Sequence, residues 1–439
     1  LPDAPVLPTI LRLAWPGIVL VAFQSAVSIA DTHFVGRLGT APLAGLALVF
    51  PLVMLLQMMS AGAMGGGVSA AIARALGAKN HDKARSLVAH AVVLALAVGA
   101  SFAVIVIVLG PPLFRLLGGR GAILEHAITY AAVLFAGAPI VFLANFSAAA
   151  LRGMGNTIVP AVVLSVAAIV HVPLCGALTL GLGVFPQLGI AGAAVAYVVA
   201  FGLAAFALLV WLARAQVPAP LRLRGMRWAR APLVEMFAVG GLSSLSALQT
   251  VTTAVVLTGL VGRFGPEALA GYGVGVRLEL LQVPISFAVG AALVPLVGMN
   301  VGARQFARAK RIAWTGAAIA ACITGSIGAV LAVVPDLWLT LFSSDPAVLE
   351  AGRTYLRTAG PVYFFIGMGV ALYFASQGPG RVGWPVLAGT ARLIIALGAG
   401  WLALAAGGGL QALFVVVALG LAAWGGITAI AVARTSWER

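Results

Sequence analysis

The chain has 439 residues, of which 62% are hydrophobic and 8% charged, with a mean hydropathy of +1.11 and a formal net charge of +15. A soluble globular domain carries roughly 25% charged residues, so the composition excludes that class and indicates an integral membrane protein. The positive charge is scattered over short loops with no basic domain to carry it, which argues against a nucleic-acid partner.

Apolar stretches long enough to cross roughly 30 Å of hydrocarbon as helices start near residues 10, 43, 86, 122, 157 and 187, and again near 233, 268, 312, 346, 382 and 409. They predict twelve spans. The chain opens on Leu1, which reads as a trimmed terminus. The first span is longer than a signal-peptide core and no small-residue cleavage site follows it, so it is expected to be retained. Within that span, from about Leu11 to Val35, stands a lone carboxylate, Asp31. A charge inside hydrocarbon costs several kcal/mol, and an intramembrane acid facing a cavity reads as a coupling or binding site. Gln24, Ser28 and Asp31 fall at i, i+4 and i+7, one polar stripe on an otherwise apolar helix.

Span two gathers Met54, Met58, Met59 and Met64, and flexible thioethers suit promiscuous apolar pockets. Met54 and Met58 are therefore candidate substrate contacts. Asn145 is a polar candidate in span four; its Asn-Phe-Ser sequon lies in a span and is discounted as a glycosylation site. Span seven keeps a neutral polar stripe of Ser246, Gln249 and Thr253. In span eight, Arg277 and Glu279 are two residues apart and cannot face one another across a turn. Arg277 is expected to find a structural partner elsewhere, and Glu279 is a candidate for recognising cations, with Gln282 one turn on and Tyr373 in span ten. Arg392 in span eleven is expected to be a structural charge, with Glu279 as its partner. Cys175 and Cys322 both lie within predicted spans, so neither a disulfide framework nor a thiolate metal cluster is indicated.

The loops distribute charge unequally. With the N-terminus inside, the loops after even-numbered spans and the C-terminus hold seventeen Lys and Arg residues, among them Arg74, Lys79, Lys83, Arg222, Arg224, Arg227 and Arg439. The other loops hold six: Arg37, Arg115, Arg120, Arg263, Arg353 and Arg357. This bias places both termini in the cytoplasm.

The chain also repeats itself. Val35-Gly36-Arg37-Leu38-Gly39 followed by Leu43-Ala44-Gly45 recurs in the second half as Val261-Gly262-Arg263-Phe264-Gly265 and Leu269-Ala270-Gly271. In nearly the same register Gly77-Ala78 recurs as Gly302-Ala303, and Gly153-x-Gly155 with Pro160 recurs as Gly378-x-Gly380 with Pro385. Six spans per half leave both halves in one orientation, related by a pseudo-two-fold axis along the membrane normal. The expected organisation is an N-lobe over 1–214, a basic cytoplasmic linker over 215–232 and a C-lobe over 233–439. In the register that matches Val35 to Val261, Asp31 corresponds to Leu257, so the carboxylate belongs to the first half alone.

An ATP-driven pump needs a phosphate loop ending in Gly-Lys-Ser/Thr. The lysines Lys79, Lys83 and Lys310 follow Ala78, Asp82 and Ala309, so no such loop exists. The Gly271-x-Gly273-x-Gly275 run lies inside a span and does not read as a dinucleotide site. A prenyl-transfer enzyme would need paired carboxylates to hold Mg²⁺ on pyrophosphate, and no Asp-x-x-x-Asp pair occurs. Ion-gradient coupling remains. Desolvation disfavours a charged carboxylate, so protonation of such a group can be switched by access to one side or the other.

Four segments carry a family resemblance. Gln24 to Gly39, ending Asp31-Thr32-x-Phe34-Val35-Gly36-Arg37-Leu38-Gly39, is similar to the first-helix signature of multidrug and toxic compound extrusion (MATE) transporters, in their bacterial NorM-like and DinF-like branches. Ala150 to Thr157 resembles the loop before helix five of that family, Gly271 to Glu279 its helix eight, and Ala375 to Arg381 the start of its helix eleven. The resemblance implies an antiporter of two six-helix lobes that exports amphipathic, often cationic compounds in exchange for H⁺ or Na⁺, with Asp31 as ion-coupling residue. His171-Val172-Pro173-Leu174-Cys175 stands where the family pattern reads Asn-x-Pro-Leu-Asn/Asp, and Tyr197 where helix six often carries Thr. Na⁺ prefers several hard oxygen ligands, whereas His171 and Cys175 offer nitrogen and sulfur on one helix face. The substitutions favour H⁺ and add His171 and Cys175 to the coupling candidates Asp31, Gln24 and Ser28. Tyr197 joins the candidates for substrate contact.

The expectation is thus an all-α integral membrane protein with twelve transmembrane helices in two six-helix lobes. It resides in the cytoplasmic membrane, works as a single chain, and is a secondary multidrug antiporter rather than an enzyme, with no cofactor beyond the coupling ion. The alternative is a lipid-linked oligosaccharide or lipid flippase of the same superfamily, whose cavity usually carries several basic residues; only Arg277 and Arg392 lie well inside spans here. A passive channel is disfavoured by the duplicated lobes.

Overall fold

The computed structural model describes residues 5–222 and 228–438, all of whose regular elements are helical. Leu1, Arg224, Arg227 and Arg439 lie outside the described residues. In chain order the helices are α1 Val6–Gly36, α2 Thr40–Gln57, α3 Gly65–Gly77, α4 His81–Leu116, α5 Gly121–Ala136, α6 Ala138–Gly153, α7 Ile158–Leu180, α8 Ile190–Leu212 and α9 Arg230–Val261. They continue with α10 Pro266–Gly302, α11 Phe306–Val333, α12 Asp336–Leu339, α13 Pro346–Ala359, α14 Phe364–Gln377, α15 Gly383–Ile394, α16 Gly400–Ala405 and α17 Leu410–Arg434. A π-helical segment, Met58–Met64, joins α2 to α3, and another, Ile395–Ala399, joins α15 to α16.

Among the described residues ten helices are long and apolar enough to cross a membrane. Two bent pairs, α5 with α6 at 47° and α13 followed by α14 at 49°, bring the number to twelve when each is taken as one span. The expected spans all appear.

The repeat seen in the sequence is a repeat of turns. Lys79 and Arg304, equivalent positions in the two halves, both adopt the left-handed conformation with φ of 57° and 59°. The next amide closes each helix in the same way, Asn80 N–H on the Ala75 carbonyl at 2.9 Å and Gln305 N–H on the Asn300 carbonyl at 2.8 Å. Gly39 and Gly265 match, with φ of 123° and 106°, as do Gly155 and Gly380, with φ of 86° and 78°. At these four glycines φ lies beyond the 57–59° that Lys79 and Arg304 adopt, where a Cβ is more strongly strained, so glycine is favoured there. The halves differ in their second helix: the first is interrupted by the π-helical Met58–Met64, whereas α10 runs unbroken and carries Pro284 and Pro295 within it.

The chain divides into two compact units, Trp15–Gly240 and Leu1–Ala14 with Gly241–Arg439. The divisions fall at 14/15 and 240/241. Ile10 and Ala14 are buried in a core with Leu293, Ile312 and Trp437, which assigns the first turns of α1 to the second unit. The first turns of α9 join the first unit because Gly67 and Gly240 let its backbone meet the π-segment and α3. A Cβ on Gly67 would lie 2.6 Å from the Met236 carbonyl oxygen, and one on Gly240 would lie 2.7 Å from Met64 Sδ. Glu235 ties the same turn down through Arg74 at 3.0 Å and Lys83 at 2.8 Å.

The glycine run of α10 is a packing surface. A Cβ at Gly271 would meet the Val348 carbonyl oxygen at 2.5 Å and one at Gly275 the Tyr355 ring at 2.2 Å, so the two glycines, one turn apart, admit α13 against α10.

Candidate functional site

Asp31 sits near the C-terminal end of α1, and His171 and Cys175 project from one face of α7, one turn apart, with Pro173 between them. Proline has no N–H to close on the Ile169 carbonyl, so α7 is locally freed from its ladder where it carries the two polar side chains. The helices meet closely because Gly176 follows Cys175. A Cβ at Gly176 would stand 2.8 Å from the Phe34 ring, so the missing side chain lets Phe34, one turn beyond Asp31, lie against α7.

The contact that results is short and buried. His171 Nε2 is 2.7 Å from Asp31 Oδ1, and the Cys175 thiol donates to the same oxygen at 3.2 Å. Cys175 Sγ is also 3.8 Å from Thr179 Oγ1. Asp31 is 9% exposed, His171 1% and Cys175 0%. His171 Nδ1 is buried without a hydrogen-bond partner. No Lys or Arg pairs with Asp31 among the described residues, so its charge is met by an imidazole and a thiol alone. Where the imidazole donates Nε2–H to the carboxylate, Nδ1 keeps its lone pair for a proton. A proton arriving there converts an anionic pair into a neutral one.

Beside this cluster lies a chain of neutral polar groups. The Tyr197 ring meets the His171 ring edge-on at 5.9 Å and stacks on Phe201 at 4.7 Å. The Tyr197 hydroxyl accepts a hydrogen bond from Gln57 Nε2. Asn145 Nδ2 donates to Ser60 Oγ at 2.8 Å and reaches Gln57 Oε1 at 3.4 Å, and Ser60 Oγ closes on the Leu56 carbonyl at 2.7 Å. Gln57 and Ser60 bracket the start of the π-helical segment. Sequence reasoning missed both, although a Gln inside the methionine-rich run of span two was a visible signal.

Other expected residues lie elsewhere. Gln24 and Ser28 are exposed and take no part in the Asp31 hydrogen bonds. Met54 and Met58 are half-buried. Asn145, expected to contact substrate, is 3% exposed, and its side-chain amide is spent on Gln57 and Ser60. In the second unit the candidates disperse. Gln249 donates to Thr390 Oγ1 at 2.8 Å, the Tyr373 hydroxyl donates to the Ser243 carbonyl at 3.2 Å, and the fully buried Gln282 has neither side-chain polar atom paired. Arg392 and Glu279, expected to pair, form no ion pair in hydrogen-bond reach among the described residues, although Arg392 is close enough for its charge to act on the carboxylate. Glu279 accepts from the Tyr355 hydroxyl, while the Arg392 guanidinium lies over the Trp424 ring at 5.7 Å. A tyrosine on α13 comes closer to the carboxylate than the arginine on α15 does, because Gly275 draws α13 in. Arg277 is exposed and lies over Phe342 at 5.4 Å. At Leu257, the counterpart of Asp31, the second unit places a core leucine, 4% exposed.

A cavity of about 510 Å³ in the first unit is bordered by Leu151, Met154, Asn156, Trp211 and Arg214 and includes none of the candidate residues.

Comparison with known proteins gives concordant relatives. The MatE family profile matches residues 16–176 and 243–402. A FAD transporter of Shewanella oneidensis is 29% identical over 378 residues, covering 85% of this chain and 82% of its own. A probable multidrug resistance protein NorM of Thermotoga maritima is 26% identical, covering 86% and 81%. A crystal structure of a MATE protein in the bent conformation superposes with a TM-score of 0.87 at 25% identity, covering 97% of this chain and 96% of that one.

Proposed function

The chain belongs to the MatE family, and from that membership we propose that it is a proton-coupled antiporter that exports amphipathic, often cationic compounds across the cytoplasmic membrane. The observation that carries the choice of ion is the donor set around Asp31: a carboxylate shared by an imidazole and a thiol, not a cage of oxygens. A hard monovalent cation gains little from nitrogen and sulfur, whereas a proton is accepted directly by the Asp31–His171 pair.

The mechanism follows from charge. With the pair anionic, the buried carboxylate attracts a proton from the outer side, and the neutralised pair no longer holds a cationic substrate, which is released. Once neutral, the site carries no charge to hold against the low dielectric, and the proton leaves when access turns inward and substrate rebinds. Pro173 and the π-helical Met58–Met64 are the places where α7 and the second span can change shape, since each interrupts the i to i−4 ladder. On this reading both termini face the cytoplasm, which the excess of basic residues in the loops after even-numbered spans supports, and a single chain supplies both lobes.

The test is dye accumulation in Na⁺-free everted vesicles under an imposed proton gradient. Wild type accumulates a cationic fluorescent dye uphill and Asp31→Asn does not. Accumulation that requires Na⁺, or that survives Asp31→Asn, contradicts the reading. Export of FAD is a second reading, favoured by the 29% identity to the Shewanella oneidensis protein. Gradient-driven FAD accumulation in the same vesicles, without dye accumulation, would select it.

A further inference from the structure

The cluster that suits a proton better than a hard cation also suits a soft one. We propose that Asp31, His171 and Cys175 form a reversible binding site for a soft divalent cation of the Zn²⁺ class, and that its occupation arrests transport. Binding stands on the donor geometry alone, and the arrest rests on the proton-coupled reading above.

One ligand atom from each residue lies within 4.8 Å of the other two. Ligands bound at about 2.0–2.3 Å in a tetrahedral site are about 3.3–3.8 Å apart. The Cys175 Sγ to Asp31 Oδ1 distance of 3.2 Å is already close to this, and the His171 Nε2 to Asp31 Oδ1 distance of 2.7 Å must open by somewhat less than an ångström. Oxygen, nitrogen and sulfur together are a donor set that Zn²⁺ and Cd²⁺ accept and that Mg²⁺, Ca²⁺ and Na⁺ do not favour.

The charge balances as well. The incoming cation displaces the thiol proton: the S–H bond breaks, a metal–sulfur bond forms and one H⁺ leaves to solvent, with no change of oxidation state. Carboxylate, thiolate and dication then sum to zero, the least costly state for a site buried in a membrane protein.

Two features set the strength and the consequence. Metal-bound histidines almost always anchor their second nitrogen on a hydrogen-bond acceptor, which fixes the ring. Among the described residues His171 Nδ1 has no partner, so this site lacks that support and binds reversibly. The cation occupies both Asp31 Oδ1 and His171 Nε2, the atoms through which the proton-accepting pair is joined. A filled site therefore holds the first unit in one state whatever the proton gradient.

The test titrates the purified full-length chain with Cd²⁺ and follows the thiolate-to-cadmium charge-transfer absorption, with Zn²⁺ as competitor. Wild type and Cys322→Ser give one saturable band that Zn²⁺ displaces, Cys175→Ser gives none, and Asp31→Asn or His171→Gln, each removing a direct ligand, weakens binding by at least the roughly 10–100-fold that loss of a ligand-orienting partner costs. Cys322 is the exposed second cysteine and lies outside the cluster. No band in wild type, a band kept in Cys175→Ser, or one lost in Cys322→Ser overturns the site. In the vesicle assay Zn²⁺ stops dye accumulation by wild type and Cys322→Ser over the range in which it displaces Cd²⁺. Binding without inhibition overturns the arrest. A normal band in a protein that moves no dye leaves the site standing and refutes the efflux reading instead.

Discussion

Asp31 takes its character from two neighbours that ordinary intramembrane acids lack. Because the thiol and the imidazole converge on one carboxylate oxygen, each can be removed separately. Asp31→Asn removes the proton-accepting charge and is expected to abolish gradient-driven dye accumulation, read in the vesicle assay. Cys175→Ala removes only a weak S–H donor, so the Asp31–His171 pair persists and accumulation falls by less than about tenfold, a loss of order 1 kcal/mol. His171→Phe removes the proton's second seat. Its accumulation under a pH gradient is expected to drop towards that of Asp31→Asn, while dye binding measured by equilibrium dialysis on the purified protein is retained. Equal effects of the Cys175 and His171 substitutions would mean that both serve packing alone. At this scale the sequence was legible for Asp31, as a charge in an apolar run, and for the shared face of His171 and Cys175. It could not place Gln57 and Ser60 beside Asn145. A π-helical segment inserts an extra residue into its turn and rotates the downstream helix by about 100° relative to an uninterrupted α-helix, so helical spacing counted through Met58–Met64 points side chains the wrong way.

Elements hold these residues in place through missing side chains. Gly176 is where α1 and α7 touch, and Gly176→Val would drive the Phe34 ring off α7 and carry Asp31 with it. The expected result is loss of coupled transport together with a fall in stability of about 1–3 kcal/mol, measured by thermal unfolding in detergent. Gly275→Leu tests the same principle in the second unit. Its side chain would enter the Tyr355 ring, destabilise the protein by a similar amount and separate Tyr355 from Glu279. A stable Gly275→Leu protein with unchanged melting would contradict the close approach of α10 and α13. The Gly271-x-Gly273-x-Gly275 run was visible in the sequence, but spacing alone does not say which neighbour a small residue admits. The same limit applies to Arg392: two opposite charges in separate spans invite pairing, but the sequence does not show that the direct hydrogen bond to Glu279 comes from Tyr355 on α13 while Arg392 acts on it from farther off.

For the whole molecule, duplication was the most legible feature, because turns require particular residues. Glycine at positive φ recurs at Gly39 and Gly265 and at Gly155 and Gly380, and a left-handed Lys79 is answered by Arg304. Duplication concealed how the ends of helices are shared. The first turns of α1 are buried with the second unit and those of α9 with the first, and such exchange depends on long-range packing that no local pattern encodes. The halves also differ at the proposed coupling site. Asp31 in one is matched by the buried Leu257 in the other, so on the proposed reading the proton is handled by a single unit.

The most direct test of that reading is proton release on substrate binding, recorded with a pH indicator in weakly buffered, Na⁺-free solutions of the purified protein. The account predicts that a cationic dye expels protons from wild type, that Asp31→Asn releases none, and that added Na⁺ leaves the wild-type signal unchanged. Release that persists in Asp31→Asn, or that Na⁺ abolishes, would contradict it.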